Sequence, residues 1–197
     1  MNYETLSDFD LLILVVGDAA HYLKKRPLSE LLGLKAPRQG VLCDSAQLAV
    51  PPALGAIKEL FVRAANEAVR DDVNVAKDPS ALTTYLSAKY AALEYEMFIC
   101  VWLDPQHRIL DCEEMFRGTL GQTSVYPREV VKSALGHNAK SVVLCHNHPS
   151  GVLTVSAADK SLTDTLKRAL ALIDVCVLDH VIVGNGKSAS MAMQGLM

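Results

Sequence analysis

Three side chains that could together hold a divalent metal follow one apolar run in the C-terminal part of the sequence. His146 and His148 stand directly after Ser141-Val-Val-Leu-Cys145, a run that is typical of a buried strand. Because successive side chains of a strand point to opposite faces, the two imidazoles would project to the same side. Asp159 comes after a Pro-Ser-Gly turn, in the first turn of a predicted helix, and can fold back towards the histidines. Two imidazoles and one carboxylate, with a fourth position open, are the ligands of a catalytic zinc site.

Each part of this pattern also has a purely structural explanation. His-x-His pairs occur on exposed strands that bind nothing, and Ser156-Ala-Ala-Asp159 fits a capping box with Asp in place of Glu. The two explanations of Asp159 are compatible, since one turn can both cap a helix and direct a carboxylate at a metal. The histidines fall at the carboxyl end of a strand, where ligand sites of α/β sheets are favoured. The order and the separation of the two pairs therefore favour a metal site.

Strands and helices are predicted to alternate over the C-terminal part of the chain, and these elements must position the candidate ligands. The strongest helix start is Asp78-Pro79, with Asp as the cap and Pro at the first helical position. A four-residue turn, Asp104 to His107, predicts that the strands around it form a hairpin. The alternation predicts an α/β domain with three layers, α-β-α, around a mixed sheet. The predicted strands are 95–103, 108–116, 141–145, 175–183 and 188–193, and the predicted helices in this part are 79–92, 127–135 and 156–172.

A small all-helical region is predicted to precede this domain. It spans residues 1–72, and a polar linker separates it from the second domain over 78–197. The segment Val50-Pro-Pro-Ala-Leu-Gly-Ala-Ile-Lys58 is predicted to be a tight turn that leads into a helix N-terminus, whose backbone N–H groups could bind a DNA phosphate as in helix–hairpin–helix modules. An ordinary turn between helices is the alternative, because just two cations, Lys58 and Arg63, are near enough in sequence to assist phosphate binding. The predicted helices of this region are 7–23, 28–34, 45–48 and 55–69.

The composition limits the class of protein. The chain has 197 residues, half of them hydrophobic, and a net charge of −3, so no global basic surface for nucleic acid is expected. Five cysteines are scattered along apolar runs, which favours reduced, buried thiols over a disulfide framework. No apolar run is long enough to span a membrane, and the first residues do not have the pattern of a signal peptide. We therefore expect a soluble cytoplasmic protein.

The spacing His-x-His-x7-Ser-x-x-Asp resembles the JAMM motif of JAB/MPN metalloproteases, and within that superfamily it is closer to the bacterial RadC-like proteins. The residues that carry the motif are His146-Asn-His-Pro-Ser-Gly151, Ser156 and Asp159. Further similarity lies in Phe116-Arg-Gly-Thr119, Ser124-Val-Tyr-Pro-Arg-Glu-Val130 and Leu178-Asp-His-Val-Ile-Val-Gly184, so that the resemblance covers about residues 80–195. Rival zinc motifs, His-x-Glu with Pro-Cys-x-x-Cys and His-Glu-x-x-His, are absent from the sequence.

The resemblance implies a zinc ion bound by His146, His148 and Asp159, with a water in the fourth position. It implies that a glutamate at the start of the first strand is the general base, and the family pattern favours Glu96 over Glu94. It also implies that Ser156 stabilises the oxyanion formed when the carbonyl of a peptide or protein substrate is attacked. Asp179-His180 matches the family as well, and His180 is expected to be either an outer partner of a ligand histidine or a structural residue.

Two further expectations remain open at this point. The name RadC is associated with DNA repair and recombination, so a DNA-binding protein with the JAMM domain as scaffold is the alternative function. The sequence also departs from the family, because Val155 stands where RadC-like proteins usually carry proline and the loop before Ser156 is unusually apolar. That loop is expected to line a substrate groove or to contact a partner.

Overall fold

The computed structural model describes residues 6–23, 28–32, 51–70, 74–118 and 124–197 of the chain. Five strands form one sheet: β1 (Met97–Leu103), β2 (Ile109–Arg117), β3 (Ser141–Asn147), β4 (Cys176–Gly184) and β5 (Lys187–Ser190). The helices of the described ranges are α1 (Asp8–Val16), α2 (Ala20–Leu23), α3 (Leu28–Leu31), α4 (Pro52–Arg70), α5 (Pro79–Tyr90), α6 (Pro127–Gly136) and α7 (Ala157–Ala171), and a short 3₁₀ turn (Gly17–Ala19) separates α1 from α2.

The sheet is mixed, with the strand order β2-β1-β3-β4-β5. The β3–β4 pair is parallel, because the chain crosses over through α7 between them, and the other neighbouring pairs are antiparallel. Every residue of β1 and β3 is buried, as expected for central strands covered on both faces. The predicted hairpin of the first two strands is confirmed.

Helices cover both faces of the sheet. Val143 and Cys145 of β3 pack on the side of α5, in one core with Leu82 and Leu86. The alternate residues Val142 and Leu144 pack on the opposite side. Their partners there come from α6 and α7, namely Val130, Ala134, Leu166 and Leu170. The α/β class with three layers, predicted from the sequence, is therefore confirmed.

A small separate core holds the N-terminal helices together. Ser7 caps α1, where it forms a capping box with Asp10. The buried residues of this core are Leu12, Ala20, Leu23, Leu31 and Leu54. Helix α4 contributes to two cores, because Leu54 near its start belongs to this one and Val69 near its end belongs to the core under α5.

The tight turn predicted in the segment from Val50 to Lys58 is not present in the structure, so this prediction was wrong. Helix α4 begins at Pro52 rather than at Gly55, so that Pro52 to Leu54 form its first turn instead of a tight turn before it. Pro is favoured at the first helical position, and the cost of about 1 kcal/mol for Gly inside a helix is small enough for a 19-residue helix to accept. The predicted helix 45–48 lies outside the described residues. DNA binding by this region stays a prediction.

Several element boundaries differ from those predicted. Strand β1 begins at Met97 rather than at residue 95, and β3 continues to Asn147 rather than ending at residue 145. The polar residues after Cys145 were expected to end the strand, but His146 and Asn147 pair with β4, and His146 also pairs with β1. Among the described helices, none is long and apolar enough to cross a membrane.

Candidate metal centre

The three candidate ligands converge at one point above the carboxyl end of β3. His146 lies in the strand, His148 is the first residue after it, and Asp159 is in the first turn of α7. The Nε2 atom of His146 lies 2.9 Å from Nε2 of His148 and 3.2 Å from Oδ1 of Asp159. All three atoms lie within 4.8 Å of one another. The structure thus brings together the set of side chains that the sequence singled out.

His148 is oriented by the loop that follows it. Its Nδ1 donates to the backbone carbonyl of Val152 at 2.6 Å, and because a carbonyl can only accept, Nδ1 must carry the ring hydrogen. The lone pair of the neutral ring is then on Nε2, which faces His146. The loop can turn back in this way because Gly151 has φ +75° and approaches Asn185 so closely that a Cβ would come within 2.9 Å of the Asn185 Cβ.

Asp159 has a separate role for each carboxylate oxygen. Oδ2 accepts a hydrogen bond from the Ser156 backbone N–H at 2.7 Å, while the Asp159 N–H donates to Ser156 Oγ at 3.1 Å, which completes the capping box. Oδ1 is directed at His146. Burial works against the charge of this carboxyl, but the adjacent His146 ring and the hydrogen bonds of the Ser156 cap outweigh it and hold the pKa of Asp159 well below its usual range. The cap therefore presents an ionised oxygen to the two imidazoles.

The chemistry of the donor atoms fits a divalent metal. Two imidazole nitrogens and one ionised carboxylate oxygen crowd together, and the lone pairs of such atoms repel one another unless a proton or a metal ion lies between them. In a tetrahedral zinc site with bonds of about 2.0–2.2 Å, neighbouring ligand atoms stand roughly 3.3–3.6 Å apart. The distances of 2.9 and 3.2 Å fall within about half an ångström of that spacing. The third pair, His148 Nε2 and Asp159 Oδ1, lies within 4.8 Å. Side-chain shifts on the order of one ångström would therefore suffice to receive an ion.

Glu96 lies beside these three residues, just before β1. Burial raises the pKa of its carboxyl, His146 and His148 act against that rise, and Asp159 adds to it. All three candidate ligands are therefore within electrostatic range of Glu96. Glu94, in contrast, is exposed and lies in a bend rather than in the strand, so strand alternation does not relate the two acids. This placement supports Glu96 as the base, and that choice stays a prediction.

Asn147 clamps the backbone on both sides of Glu96, a role that the sequence analysis missed. Its fully buried side chain accepts from the Met97 N–H through Oδ1 at 2.7 Å and donates from Nδ2 to the Tyr95 carbonyl at 2.9 Å. The residue between the two candidate histidine ligands thereby fixes the segment that carries the candidate base. A polar amide at the end of an otherwise apolar strand was the signal that could have indicated this role.

A buried chain of polar groups extends from His146 into α7. His146 Nδ1 lies 2.8 Å from Nε2 of His180, and His180 Nδ1 lies 2.6 Å from the hydroxyl oxygen of Thr163. His180 is fully buried, and this burial together with nearby His146 lowers its pKa to about 3, although Asp159 opposes the shift. The ring of His180 is therefore neutral. His180 was a candidate in the sequence, whereas Thr163 was not, since a threonine within a helix carries no distinctive pattern.

The remaining residues singled out from the sequence have clear positions. Ser156 is exposed at the start of α7, and its hydroxyl oxygen accepts from the Asp159 N–H in the cap. Cys145 points to the opposite side of the sheet from His146, into the core under α5, as alternation predicted.

Comparisons with known proteins cover nearly the whole chain. Residues 76–196 match the family model described as the RadC-like JAB domain. A UPF0758 protein of Pseudomonas savastanoi pv. phaseolicola is 42% identical over 203 residues, which cover 98% of this chain and 90% of that protein. UPF0758 proteins of Delftia acidovorans and Variovorax paradoxus are 53% and 54% identical over 142 residues, or 72% of this chain and 62% and 63% of those proteins. The names of these relatives state no activity.

Proposed function

This chain belongs to the RadC-like JAB domain family, and from that premise we propose that it is a metal-dependent hydrolase that cleaves an amide or isopeptide bond in a peptide or protein. The observation that carries the proposal is the convergence of His146 Nε2, His148 Nε2 and Asp159 Oδ1 beside the half-buried acid Glu96. A JAB domain is consistent with a hydrolase, and the substrate class comes from the resemblance to the JAMM motif.

His146, His148 and Asp159 would hold the ion, with zinc as the metal that best suits two imidazoles and one carboxylate. A zinc ion bound with an open coordination position supplies a water of lowered pKa and polarises a carbonyl oxygen. The protein's part is to keep the three ligand atoms together. The strand fixes His146, the Val152 carbonyl fixes the ring of His148, and the helix cap fixes Asp159.

Glu96 is the proposed general base and acid. Its carboxylate takes a proton from the attacking water and returns that proton to the nitrogen of the leaving amine. A raised pKa suits this exchange, because the group must both accept and release a proton near neutral pH. Asn147 contributes by holding the backbone on either side of Glu96, which keeps the carboxyl within electrostatic range of the histidines.

Ser156 is the proposed donor to the developing oxyanion. Its oxygen is held by the Asp159 N–H. Its hydroxyl would donate to the carbonyl oxygen of a substrate as negative charge builds up there. The exposure of Ser156 is consistent with this role, because the substrate must reach it from solvent. The alternative function, DNA binding through the N-terminal region, has less support, since the residues expected to form a phosphate-binding turn are helical.

The test of the proposal combines metal analysis with a cleavage assay. We expect about one zinc per chain in the purified protein, and we expect cleavage of members of a peptide library that includes lysine-linked isopeptides. Glu96→Gln is the matched variant, because it removes the base and leaves the three ligands in place. It should keep the metal and lose cleavage. A wild-type protein that takes up no zinc when zinc is added in excess would sink the proposal.

A further inference from the structure

We propose that Thr163 and His180 are positioning residues that set the ring tautomer of His146, so that its Nε2 lone pair faces the metal. The inference rests on the proposed metal site. The donor and acceptor roles that it assigns along the chain of hydrogen bonds from Thr163 to His146 can, however, be tested in the metal-free protein. Among the three candidate ligand side chains, only the His146 ring is joined to this pair by side-chain hydrogen bonds, through His180. The Thr163 hydroxyl also bonds the backbone carbonyl of Asp159.

The order begins at Thr163, in the second turn of α7. Its hydroxyl oxygen lies 2.6 Å from the backbone carbonyl oxygen of Asp159, which can only accept, so the single hydroxyl hydrogen must point there. The sulfur of Met191, at 3.7 Å, is a second and weaker acceptor for the same hydrogen. With either acceptor, the Thr163 oxygen can only accept from any third group.

The third group is His180. Its Nδ1 lies 2.6 Å from the Thr163 oxygen and must therefore carry a hydrogen that it donates to that oxygen. His180 is fully buried, and its ring nitrogens face a hydroxyl and another imidazole, so no carboxylate of the described residues is bonded to the ring to balance a positive charge. The ring therefore carries one hydrogen, and placing that hydrogen on Nδ1 leaves Nε2 bare. Nε2 of His180 is thus an acceptor, and it is directed at His146.

His146 completes the order. Its Nδ1, 2.8 Å from the bare Nε2 of His180, must donate, so the hydrogen of a neutral His146 ring is on Nδ1. The lone pair is then on Nε2, the atom that faces His148 and Asp159. The hydrogen bond on one nitrogen of a histidine generally decides which nitrogen is free for a metal.

His146 and His148 are both held with the hydrogen on Nδ1 and the lone pair on Nε2, but by different hydrogen-bond acceptors. His148 donates to a backbone carbonyl, which accepts whatever the neighbouring side chains are. His146 donates to a side chain that could equally be a donor, because a neutral His180 has two tautomers. Thr163 excludes the His180 tautomer that carries its hydrogen on Nε2. The metal-binding form of His146 therefore depends on a hydroxyl two hydrogen bonds away.

Thr163→Val tests this dependence, because valine has nearly the same shape and no hydroxyl. Without its acceptor, His180 has no reason to keep the hydrogen on Nδ1 and can place it on Nε2 instead. His146 Nδ1 must then accept, which puts the His146 hydrogen on Nε2, where the metal should bind. Losing an outer partner of this kind typically lowers metal affinity by about 10–100-fold.

Two matched variants separate this effect from a general disturbance of α7. Thr163→Ser restores a hydroxyl at the same position. Thr165→Val removes a hydroxyl from the same helix, where Thr165 donates to the Ser161 carbonyl at 2.8 Å on an exposed surface. We expect the zinc dissociation constant, measured by competition with a chelator, to rise about 10–100-fold in Thr163→Val. In the two controls it should stay within about twofold of wild type.

Nitrogen NMR of the histidine rings in the metal-free wild-type protein tests the order without any variant. We expect His180 to carry its hydrogen on Nδ1, and we expect that hydrogen to move to Nε2 in Thr163→Val. A hydrogen on Nε2 of His180 in the wild type, or unchanged zinc affinity in Thr163→Val, overturns the inference. If the wild type binds no zinc, the proposed function fails, while the tautomer of His180 still decides whether this order exists.

Discussion

In the described part of the chain, capping boxes of the same sequence pattern, Ser-x-x-Asp, stand at the starts of α1 and α7. In both, the serine oxygen accepts from the aspartate N–H, and the aspartate accepts from the serine N–H. At α1, Asp10 is exposed, and the Ser7 hydroxyl also donates to Asp10 Oδ2 at 2.5 Å, so that the box is closed upon itself. At α7, Asp159 is largely buried and directs its second oxygen at His146. The same local motif is therefore a helix start in one place and a candidate metal ligand in the other.

The difference lies outside the motif. Ser7 alone lowers the pKa of Asp10, by its side-chain and backbone hydrogen bonds, whereas His146 contributes with Ser156 to the lowering at Asp159. What surrounds each box follows from the fold, since α1 belongs to a small helical core and α7 begins at the carboxyl end of β3. A capping box thus tells where a helix starts, and the neighbours across the sheet decide whether its carboxylate has a further role.

The largest expected contrast comes from the paired substitutions Asp159→Asn and Asp10→Asn. Both keep an oxygen that can cap the helix, but only the first removes the charged candidate ligand. We expect Asp159→Asn to lose zinc affinity by more than the roughly 100-fold that an outer partner is worth, and to lose cleavage with it. Asp10→Asn should match wild type in both measurements. Equal zinc affinity in the two variants would contradict the assignment of Asp159 as a metal ligand.

Substitution of the serine in each capping box tests whether Ser156 has a role beyond capping that Ser7 lacks. Ser156→Ala and Ser7→Ala each remove a cap worth about 1 kcal/mol, which lowers the melting temperature by about 2–4 °C in a domain of this size. In addition, Ser156→Ala should lower kcat by about 100-fold, because the proposed donor to the oxyanion is lost. Thermal unfolding and steady-state kinetics on a cleaved library peptide measure the two effects. If kcat is unchanged in Ser156→Ala, that serine is only a cap.

Zinc addition and removal should distinguish the boxes by stability alone. A ligand present at about 100 times its dissociation constant stabilises the folded state by about 2.7 kcal/mol, or about 5–11 °C in melting temperature. We expect this rise on adding zinc to metal-free wild type and to Asp10→Asn, and its reversal by a chelator. Asp159→Asn should not respond. A full response in Asp159→Asn would place the zinc at some other set of ligands.

The smallest expected effect concerns pH and the exposed box. The folded-state pKa of Asp10 is lowered from 3.8, so its contribution to stability is present above that value and is lost as pH falls through the folded-state pKa. The difference in melting temperature between wild type and Asp10→Asn should therefore shrink as pH falls below about 4. Calorimetric scans across this range measure it. A difference that grows towards low pH would contradict the capping geometry at Ser7.

Much of the fold could be predicted from the sequence because its strands and helices are strongly patterned. The fully apolar run of β1, the Asp78-Pro79 start of α5 and the alternation of elements sufficed for the three layers. Errors arose where a local pattern allowed two outcomes. The Pro-Pro-Ala-Leu-Gly segment has both turn and helix-start signals, and packing of Leu54 into the N-terminal core accompanies the helix. Strand β3 was predicted to end at Cys145, but it includes the polar residues His146 and Asn147 because they pair with neighbouring strands.

The sequence by itself determined which side chains were candidate ligands, since His146, His148 and Asp159 lie within fourteen positions on a strand, a loop and a helix start. Only the tertiary structure decided what surrounds them. Parallel pairing of β4 beside β3 brings His180 to His146 from 34 positions away, and antiparallel β1 brings Glu96 to the same end, held by Asn147. Residue spacing governs contacts within one strand or one helix turn. Contacts between distant segments depend on the order of strands in the sheet, which no local pattern contains.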